Sequence, residues 1–334
     1  MRITSAMLHK IARDTAADFA RRDRSLLAVY LHGSLLSPEP LLGGTADIDL
    51  FLVHDDLVRP AREVRRLTDE VHLDIAHHAR EEYRQPRALR LHPWMGFSII
   101  NCKILYDPQH FMDFTRASVR GQFDQPENTL ARARGQADHA RQIWLELHER
   151  GGEPGLEAID RYLRAVVHAA NAIALLTGPP LTDRRLLLEF PRRAEAVRRP
   201  GLYPGLQGLL GGPNADRDAL LSWLPAWEQA YRSLPPGTAP AGLHPDRCPY
   251  YQRAFHQIIV GEQPQNVLWP LLRTWTSVIQ ALPDGAPQRG PWLETLERLG
   301  LWGGGFQERL AALDAYLDAV EERLDEWGQA RGIE

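Results

Sequence analysis

The feature that most constrains the fold is the stretch YLHGSLLSPEPLLGGTADIDLFLV, at residues 30–53. In this stretch an apolar strand ends at a Gly-Ser turn, and a second apolar strand carries Asp47 and Asp49. Side chains alternate between the two faces of a strand, so these two carboxylates share one face while Ile48 and Leu50 point to the other, toward a core. The pattern therefore predicts an acidic edge on an otherwise apolar sheet.

A third carboxylate, Asp74, lies in the apolar sequence VHLDIAHH, which predicts a strand beside the first two. Two carboxylates about 5 Å apart repel each other by about 3 kcal/mol at an effective dielectric constant of about 20, so a site that keeps them ionised needs a compensating cation. Mg²⁺ takes oxygen ligands octahedrally and leaves positions for water and phosphates. The sequence thus predicts a Mg²⁺ site formed by Asp47, Asp49 and Asp74.

This set of residues resembles the pattern of the nucleotidyltransferase superfamily, which includes DNA polymerase β and the aminoglycoside nucleotidyltransferases. The family pattern is Gly-Ser, a spacer, an Asp-x-Asp strand and a later acidic strand; here it reads Gly33-Ser34, twelve residues, Asp47-Ile48-Asp49 and Asp74. The resemblance covers roughly the first 110 residues, with KILYDP at 103–108 as the expected closing strand. Many relatives have an arginine soon after Gly-Ser, whereas the spacer LLSPEPLLGGTA predicts a loop.

The resemblance implies that a nucleoside monophosphate passes from an NTP to an acceptor hydroxyl with release of pyrophosphate, and AMP from ATP is the expected case. It implies two metal ions about 4 Å apart, held by Asp47, Asp49 and Asp74. Gly33 would let the backbone approach the triphosphate, and Ser34 would donate a hydrogen bond to it. The acceptor stays open between a small molecule such as an aminoglycoside, a protein side chain and an RNA end.

Composition restricts the partners. With 39 basic and 43 acidic residues the formal net charge is −4, so the chain lacks the basic excess that holds a long nucleic acid. The only cysteines, Cys102 and Cys248, are too few for a disulfide framework or a cysteine metal cluster. Neither a signal-like segment nor a long apolar run is visible, so we expect no membrane partner and a cytoplasmic location.

The order of the elements predicts an α/β (α+β) protein, with a mixed-sheet nucleotidyltransferase domain at 1–124 and a mostly helical C-terminal domain at 125–334. The helical domain is expected to hold the acceptor or to form a homodimer. Apolar spacing predicts amphipathic helices at 5–22, 111–120, 129–150, 156–178 and 307–327, and a short helix at 60–68. Proline and glycine in the stretch 191–245 predict loops and short helices.

Several further residues are candidates for a role in the reaction. For the general base, the alternatives are Asp74, a metal-bound hydroxide, and Glu146 or Glu149 of the helical domain. Histidines at the predicted strand ends are candidates for contact with substrate phosphates or for tuning metal-bound waters, namely His54, His77 and His78.

Two other functions remain alternatives. One is a non-catalytic nucleotide- or partner-binding module of toxin–antitoxin type, although an inactive copy has no chemical need for three mutually repelling carboxylates. The other is RNA cleavage by the helical domain, in which Arg161 with His168, and Arg134 with His139, match the Arg and His spacing of HEPN nucleases. Because all but two of the 39 basic residues are arginine, such spacings arise by chance and carry little weight.

Overall fold

The computed structural model describes residues 3–235 and 241–333. By its internal contacts the chain divides into two compact units. The first comprises Met1–Asp124 and Pro240–Ala254, and the second comprises Gln125–Ala239 and Phe255–Glu334. The segment 240–254 therefore belongs with the first unit, although it lies far along the sequence. Residues 236–240 of the proline- and glycine-rich stretch lie outside the described residues.

The first unit is built on a mixed five-stranded sheet. Its strands are β1 (Leu26–His32), β2 (Ala46–His54), β3 (Arg62–Arg66), β4 (Val71–Ala79) and β5 (Lys103–Tyr106). The strand order is β3-β4-β2-β1-β5, in which β2 and β4 are parallel and the other neighbours antiparallel. The predicted strands at β1, β2, β4 and β5 are confirmed, and so is the fold class, a mixed sheet combined with many helices.

Helix α1 (Ser5–Arg22) covers one face of this sheet, as its apolar spacing predicts. The helix begins where the Thr4 side chain accepts a hydrogen bond from the Met7 amide, which satisfies one of the free donors of the first turn. Its buried stripe of Leu8, Ala12 and Ala16 packs with the core-facing residues of the strands, among them Ile48, Leu50 and Leu52. Because strand side chains alternate, the opposite face of β2 is the one that carries Asp47 and Asp49.

The short helix predicted at 60–68 is wrong, because this segment contains strand β3 instead. Its sequence REVRR has little apolar character, which is common in an edge strand that is exposed to solvent. Pairing with β4 decides the conformation: Arg62 lies opposite Ala76, and Val64 lies opposite Asp74. The backbone hydrogen bonds between β3 and β4 thus outweigh the weak helical pattern of the sequence. The strand also brings Arg62 next to Asp74.

Short helices complete the first unit, namely α2 (Pro86–Leu91), α3 (Met95–Ile100) and α4 (Phe111–Arg120). The second unit is helical and contains α5 (Pro126–Arg150), α6 (Leu156–Leu175), α7 (Leu186–Ala196), α8 (Leu202–Leu209), α9 (Arg217–Arg232), α11 (Leu268–Ala281), α12 (Arg289–Leu299) and α13 (Gly305–Gln329). Between them in the sequence lies α10 (Cys248–Ile259), whose first residues belong to the first unit.

The long helices predicted at 129–150, 156–178 and 307–327 are confirmed as α5, α6 and α13. The stretch 191–245 is more helical than predicted, since α9 runs for 16 residues despite Pro225 inside it. Asp216 stabilises its start by accepting a hydrogen bond of 2.8 Å from the Ala219 amide, and its apolar face is buried. Among the described residues, none of the helices combines the length and the apolar character needed to cross a membrane.

Candidate functional site

Three aspartates come together on the sheet face opposite α1. In the parallel register of β2 and β4, Asp49 lies beside Asp74 and Asp47 lies beside His72. Each of the three aspartates offers a carboxylate oxygen, and these oxygens all lie within 4.8 Å of one another. Asp47 and Asp74 are buried, and Asp49 is partly exposed. We call Asp47, Asp49 and Asp74 the acid triad.

Gly33 lies against this triad at the end of β1. Its φ angle is +85°, a left-handed conformation that glycine adopts without strain. A Cβ atom at this position would lie 2.0 Å from Asp49 Oδ2, so only glycine leaves room here for the Asp49 carboxylate. Ser34 follows at the start of a short 3₁₀ turn, and its hydroxyl makes no hydrogen bond within the described part of the chain. The predicted Gly-Ser turn therefore lies beside the Asp-x-Asp strand.

Two arginines that the sequence analysis did not single out contact the triad. Arg62 of β3 donates to both oxygens of Asp74, from Nε and Nη2, at 2.6 Å each. Arg247, which follows a turn at Pro245, donates from Nη2 to Asp47 Oδ2 at 2.6 Å and to Asp74 Oδ2 at 2.7 Å. Arg247 is only 3% exposed. The chain thus places two guanidinium groups among three carboxylates.

These contacts make the members of the triad electrostatically unequal. Burial alone would raise the pKa of Asp74, but the hydrogen bonds and charges of Arg62 and Arg247 outweigh it and lower this pKa below its ordinary value. Asp49 accepts no hydrogen bond within the described part of the chain. Desolvation by the surrounding protein, together with the charges of Asp47 and Asp74, raises the pKa of Asp49 to about 8 although its side chain is partly exposed.

Two histidines flank the triad on the neighbouring strands. His72 of β4 is fully buried; its Nε2 is 3.1 Å from the Asp246 carbonyl oxygen, and its Nδ1 is 3.9 Å from Asp47 Oδ1, too far for a hydrogen bond. His32 of β1 pairs with Asp49 in the sheet register. Burial lowers the pKa of both imidazoles, to about 4 for His32, so neither adds positive charge at neutral pH.

The histidines proposed from the sequence lie elsewhere. His54 and His77 are on the sheet face that α1 covers, where His54 Nε2 and His77 Nδ1 are hydrogen-bonded at 2.9 Å. His78 is hydrogen-bonded to the Tyr83 hydroxyl at 3.1 Å. The structure thus ties all three into packing contacts, whereas His32 and His72, which were not singled out, are the ones beside the triad.

In the helical unit, four of the remaining candidates, Glu146, Arg161, Arg134 and His168, are also held by structural contacts. Arg161 pairs with Glu146, one of the two proposed general bases, and Arg134 pairs with Asp325 at 3.0 Å. His168 is hydrogen-bonded to Gln136 at 2.8 Å. Burial, together with the charge of His139, lowers the pKa of His168 to about 4. Both arginines of the proposed nuclease motifs are therefore in ion pairs within the fold.

The donor set of the triad fits a divalent cation. Carboxylate oxygens are the ligands that Mg²⁺ prefers, and three of them lie close enough to share an ion. Asp47 Oδ1 is buried and has no hydrogen-bond partner among the described residues, which is costly unless a cation or water satisfies it. The Arg247 guanidinium contacts two of these three carboxylates, those of Asp47 and Asp74.

Gly33→Ala is expected to destabilise the protein by about 2 kcal/mol and to weaken Mn²⁺ binding about tenfold, because the new Cβ is strained and displaces the Asp49 carboxylate. The matched control is Gly44→Ala, since Gly44 also has a positive φ, of +72°, but has no atom within 4 Å of the added Cβ. Urea unfolding and calorimetric titration with Mn²⁺ measure both effects. Equal losses in the two variants would show that backbone strain alone matters at Gly33.

No family model matches this chain, and no curated protein matches its sequence. The crystal structure of a nucleotidyltransferase-like protein from Exiguobacterium sibiricum 255-15 is similar to it, with a TM-score of 0.34 and 11% sequence identity. The similarity covers 88% of this chain and 92% of that one. At a TM-score this low, function is inferred from the acid triad and its surroundings rather than from the relative.

Proposed function

We propose that this protein is a Mg²⁺-dependent nucleotidyltransferase, which transfers a nucleoside monophosphate, AMP from ATP, to an acceptor hydroxyl and releases pyrophosphate. The observation that carries the proposal is the acid triad, in which carboxylates from two parallel strands meet beside a Gly-Ser turn. This is the arrangement that the sequence resemblance implies for the family.

The carboxylates of the triad would hold one or two Mg²⁺ ions. When bound, such ions neutralise the charge that develops on the reacting phosphate and activate the attacking oxygen. Hard oxygen donors suit Mg²⁺, and Asp47 Oδ1 and the Asp49 carboxylate are the parts of the triad that accept no hydrogen bond within the described part of the chain.

The Gly-Ser turn is proposed to bind the triphosphate. Gly33 has no side chain to block the approach of phosphate oxygens to the backbone, and the Ser34 hydroxyl is free to donate to one of them. Asp74 is a poor candidate for the general base in this arrangement, because two guanidinium groups hold its pKa below the ordinary value. Of the residues named as bases from the sequence, Glu146 is engaged by Arg161.

The acceptor stays open between a small molecule, a protein side chain and an RNA end. We propose that the helical unit binds the acceptor or a second copy of the chain. The formal net charge of −4 favours a small or locally bound acceptor over a long nucleic acid. RNA cleavage gains no support, since both proposed nuclease arginines are in ion pairs and burial lowers the pKa of His168 to about 4.

A second candidate is a module that binds a nucleotide or a partner without turnover. One observation favours it: Arg62 and Arg247 already neutralise Asp74 and Asp47 from within the chain. The presence of three carboxylates therefore weighs less against this alternative than the sequence alone suggests. Of the three aspartates, only Asp49 forms no ion pair within the described part of the chain.

Titration calorimetry with nonhydrolysable ATP and GTP analogues, with and without Mg²⁺, tests the proposal. We expect the wild type to bind an analogue only with Mg²⁺, and the Asp47→Asn, Asp49→Asn double variant to lose at least about a hundredfold in affinity, because it lacks the carboxylates that hold the ion. The matched control is Asp55→Asn, Asp56→Asn, which changes the charge equally at two exposed positions after β2.

Transfer of label from α-³²P-ATP to added acceptors or to the protein itself then separates the two candidates. Metal-dependent binding together with transfer supports the enzyme. Binding that survives in the double variant, with no transfer by either protein, supports the module. Absence of nucleotide binding by the wild type under all conditions would contradict both.

A further inference from the structure

Arg247 occupies the position in the acid triad at which a bridging cation would lie. A single nitrogen, Nη2, donates to Asp47 Oδ2 at 2.6 Å and to Asp74 Oδ2 at 2.7 Å. A divalent ion held by Asp47 and Asp74 would need carboxylate oxygens of the same two residues. Because Nη2 already contacts both carboxylates, an ion between them would take the place of the guanidinium.

Arg62 differs from Arg247 in each of these respects. Its side chain is about half exposed, it lies on the edge strand β3, and it contacts Asp74 alone, through two parallel hydrogen bonds. It therefore does not join Asp47 to Asp74, although it shares the Asp74 Oδ2 acceptor with Arg247. Arg62 thus binds one carboxylate of the triad, whereas Arg247 bridges two.

The buried Arg247 side chain does not use all of its hydrogen-bond donors. Its Nε atom is buried without a hydrogen-bond partner among the described residues. Leaving a donor of a charged group unpaired in the interior costs free energy, so this position depends on the attraction of Asp47 and Asp74. A competing cation that satisfies the same carboxylates removes that attraction.

Polar contacts join the turn that carries Arg247 to the sheet. The turn spans Pro245–Arg247 and is closed by a 2.8 Å hydrogen bond from the Arg247 amide to the His244 carbonyl. His72 Nε2 meets the carbonyl oxygen of Asp246 at 3.1 Å. The Arg247 guanidinium lies 5.5 Å from the centre of the Tyr250 ring. Withdrawal of the turn would have to break the contact of His72 with the Asp246 carbonyl as well as the two ion pairs of Arg247.

From this geometry we infer that Arg247 is a tethered counter-ion that competes with the divalent cation for Asp47 and Asp74. Loading of the metal requires the Pro245–Arg247 turn to withdraw from the triad, so this turn controls whether the site is competent. The inference rests on the proposed function, because it assumes that the triad binds a cation. It adds that the chain itself blocks the site until the cation displaces Arg247.

Calorimetric titration with MnCl₂ of the wild type, Arg247→Met and Arg253→Met tests this competition. We expect Arg247→Met to bind Mn²⁺ at least about tenfold more tightly than the wild type, since the ion no longer displaces two charge-assisted hydrogen bonds. Arg253→Met is the matched control: Arg253 pairs with Glu70 at 2.9 Å, is 46% exposed and loses the same charge. Its affinity is expected to stay within about twofold of that of the wild type.

Hydrogen–deuterium exchange on the wild type tests the inference without a variant, so it does not require that Arg247→Met folds. Addition of MnCl₂ is expected to speed exchange of the Arg247 amide, because withdrawal of the turn moves this buried residue into solvent, where the turn opens more often. Slower or unchanged exchange there, with Mn²⁺ bound, overturns the inference.

The outcomes separate this inference from the proposed function. Binding of Mn²⁺ by Arg247→Met but not by the wild type supports both. Equal affinities in the wild type and Arg247→Met overturn the competition while leaving the metal site in place. Absence of Mn²⁺ binding in both proteins contradicts the metal site itself, and with it the proposed nucleotidyl transfer.

Discussion

Asp49→Asn is expected to reduce nucleotidyl transfer by at least about a thousandfold while leaving the metal-free protein as stable as the wild type or more stable. The loss of activity follows because the amide cannot supply the anionic oxygen that holds the ion and offsets its charge. The stability follows because Asp49 accepts no hydrogen bond among the described residues and lies beside two other carboxylates. Residues that serve a reaction often lower the stability of the folded protein in this way.

The pH dependence of this effect has a definite sign. In the folded protein the pKa of Asp49 is raised from 3.8 to about 8, so the carboxyl binds its proton more tightly in the folded than in the unfolded chain. Its contribution to stability is complete below pH 3.8 and is lost as the pH rises toward 8. Asparagine does not titrate, so the gain of Asp49→Asn should be absent near pH 4 and reach about 1 kcal/mol or more near pH 8.

Urea unfolding in EDTA at several pH values measures the stability, and transfer of label from α-³²P-ATP measures the activity. The exposed substitution Asp55→Asn serves as the control, because it removes a carboxylate near the end of β2 without touching the triad. If Asp49→Asn proved less stable than the wild type at pH 8, Asp49 would be a favourable structural partner, and the electrostatic reasoning above would fail.

The local part of the site could be predicted from the sequence. Alternation along β2 places Asp47 and Asp49 on one face, and the apolar neighbours of Asp74 indicate the strand that lies beside it. Gly33 is detectable because a glycine directly after an apolar strand marks a turn, and the structure gives it a positive φ and a contact with Asp49. Each of these signals spans only a few residues, which is the range over which sequence periodicity is informative.

The arginines could not be predicted, for two different physical reasons. Arg62 lies in a segment whose local pattern favoured a helix, and only the hydrogen bonds to β4 make it a strand. Arg247 is separated from Asp47 by 200 residues in the sequence. No periodicity spans that distance, and in a chain with so many arginines nothing in its neighbours marks it as a ligand of the triad.

The three aspartates look equivalent in the sequence, but these arginines give each of them a different set of hydrogen bonds. Asp74 accepts hydrogen bonds from both guanidinium groups, Asp47 accepts from one, and Asp49 from neither. Asp74 is thus a structural anchor of the metal-free protein as well as a proposed ligand. The same substitution should therefore have opposite effects on stability at Asp49 and at Asp74.

Asp74→Asn is expected to destabilise the metal-free protein by about 3 kcal/mol, because Arg247 is left buried with one carboxylate instead of two, and an undercompensated buried charge is costly. Loss of the pair with Arg62 should add little, since that guanidinium is about half exposed. Urea unfolding in EDTA measures the effect. The double variant Asp74→Asn, Arg247→Met should recover most of the loss, because it removes the stranded charge together with its partner. Additive losses in the double variant would instead mean that Asp74 stabilises the fold independently of Arg247.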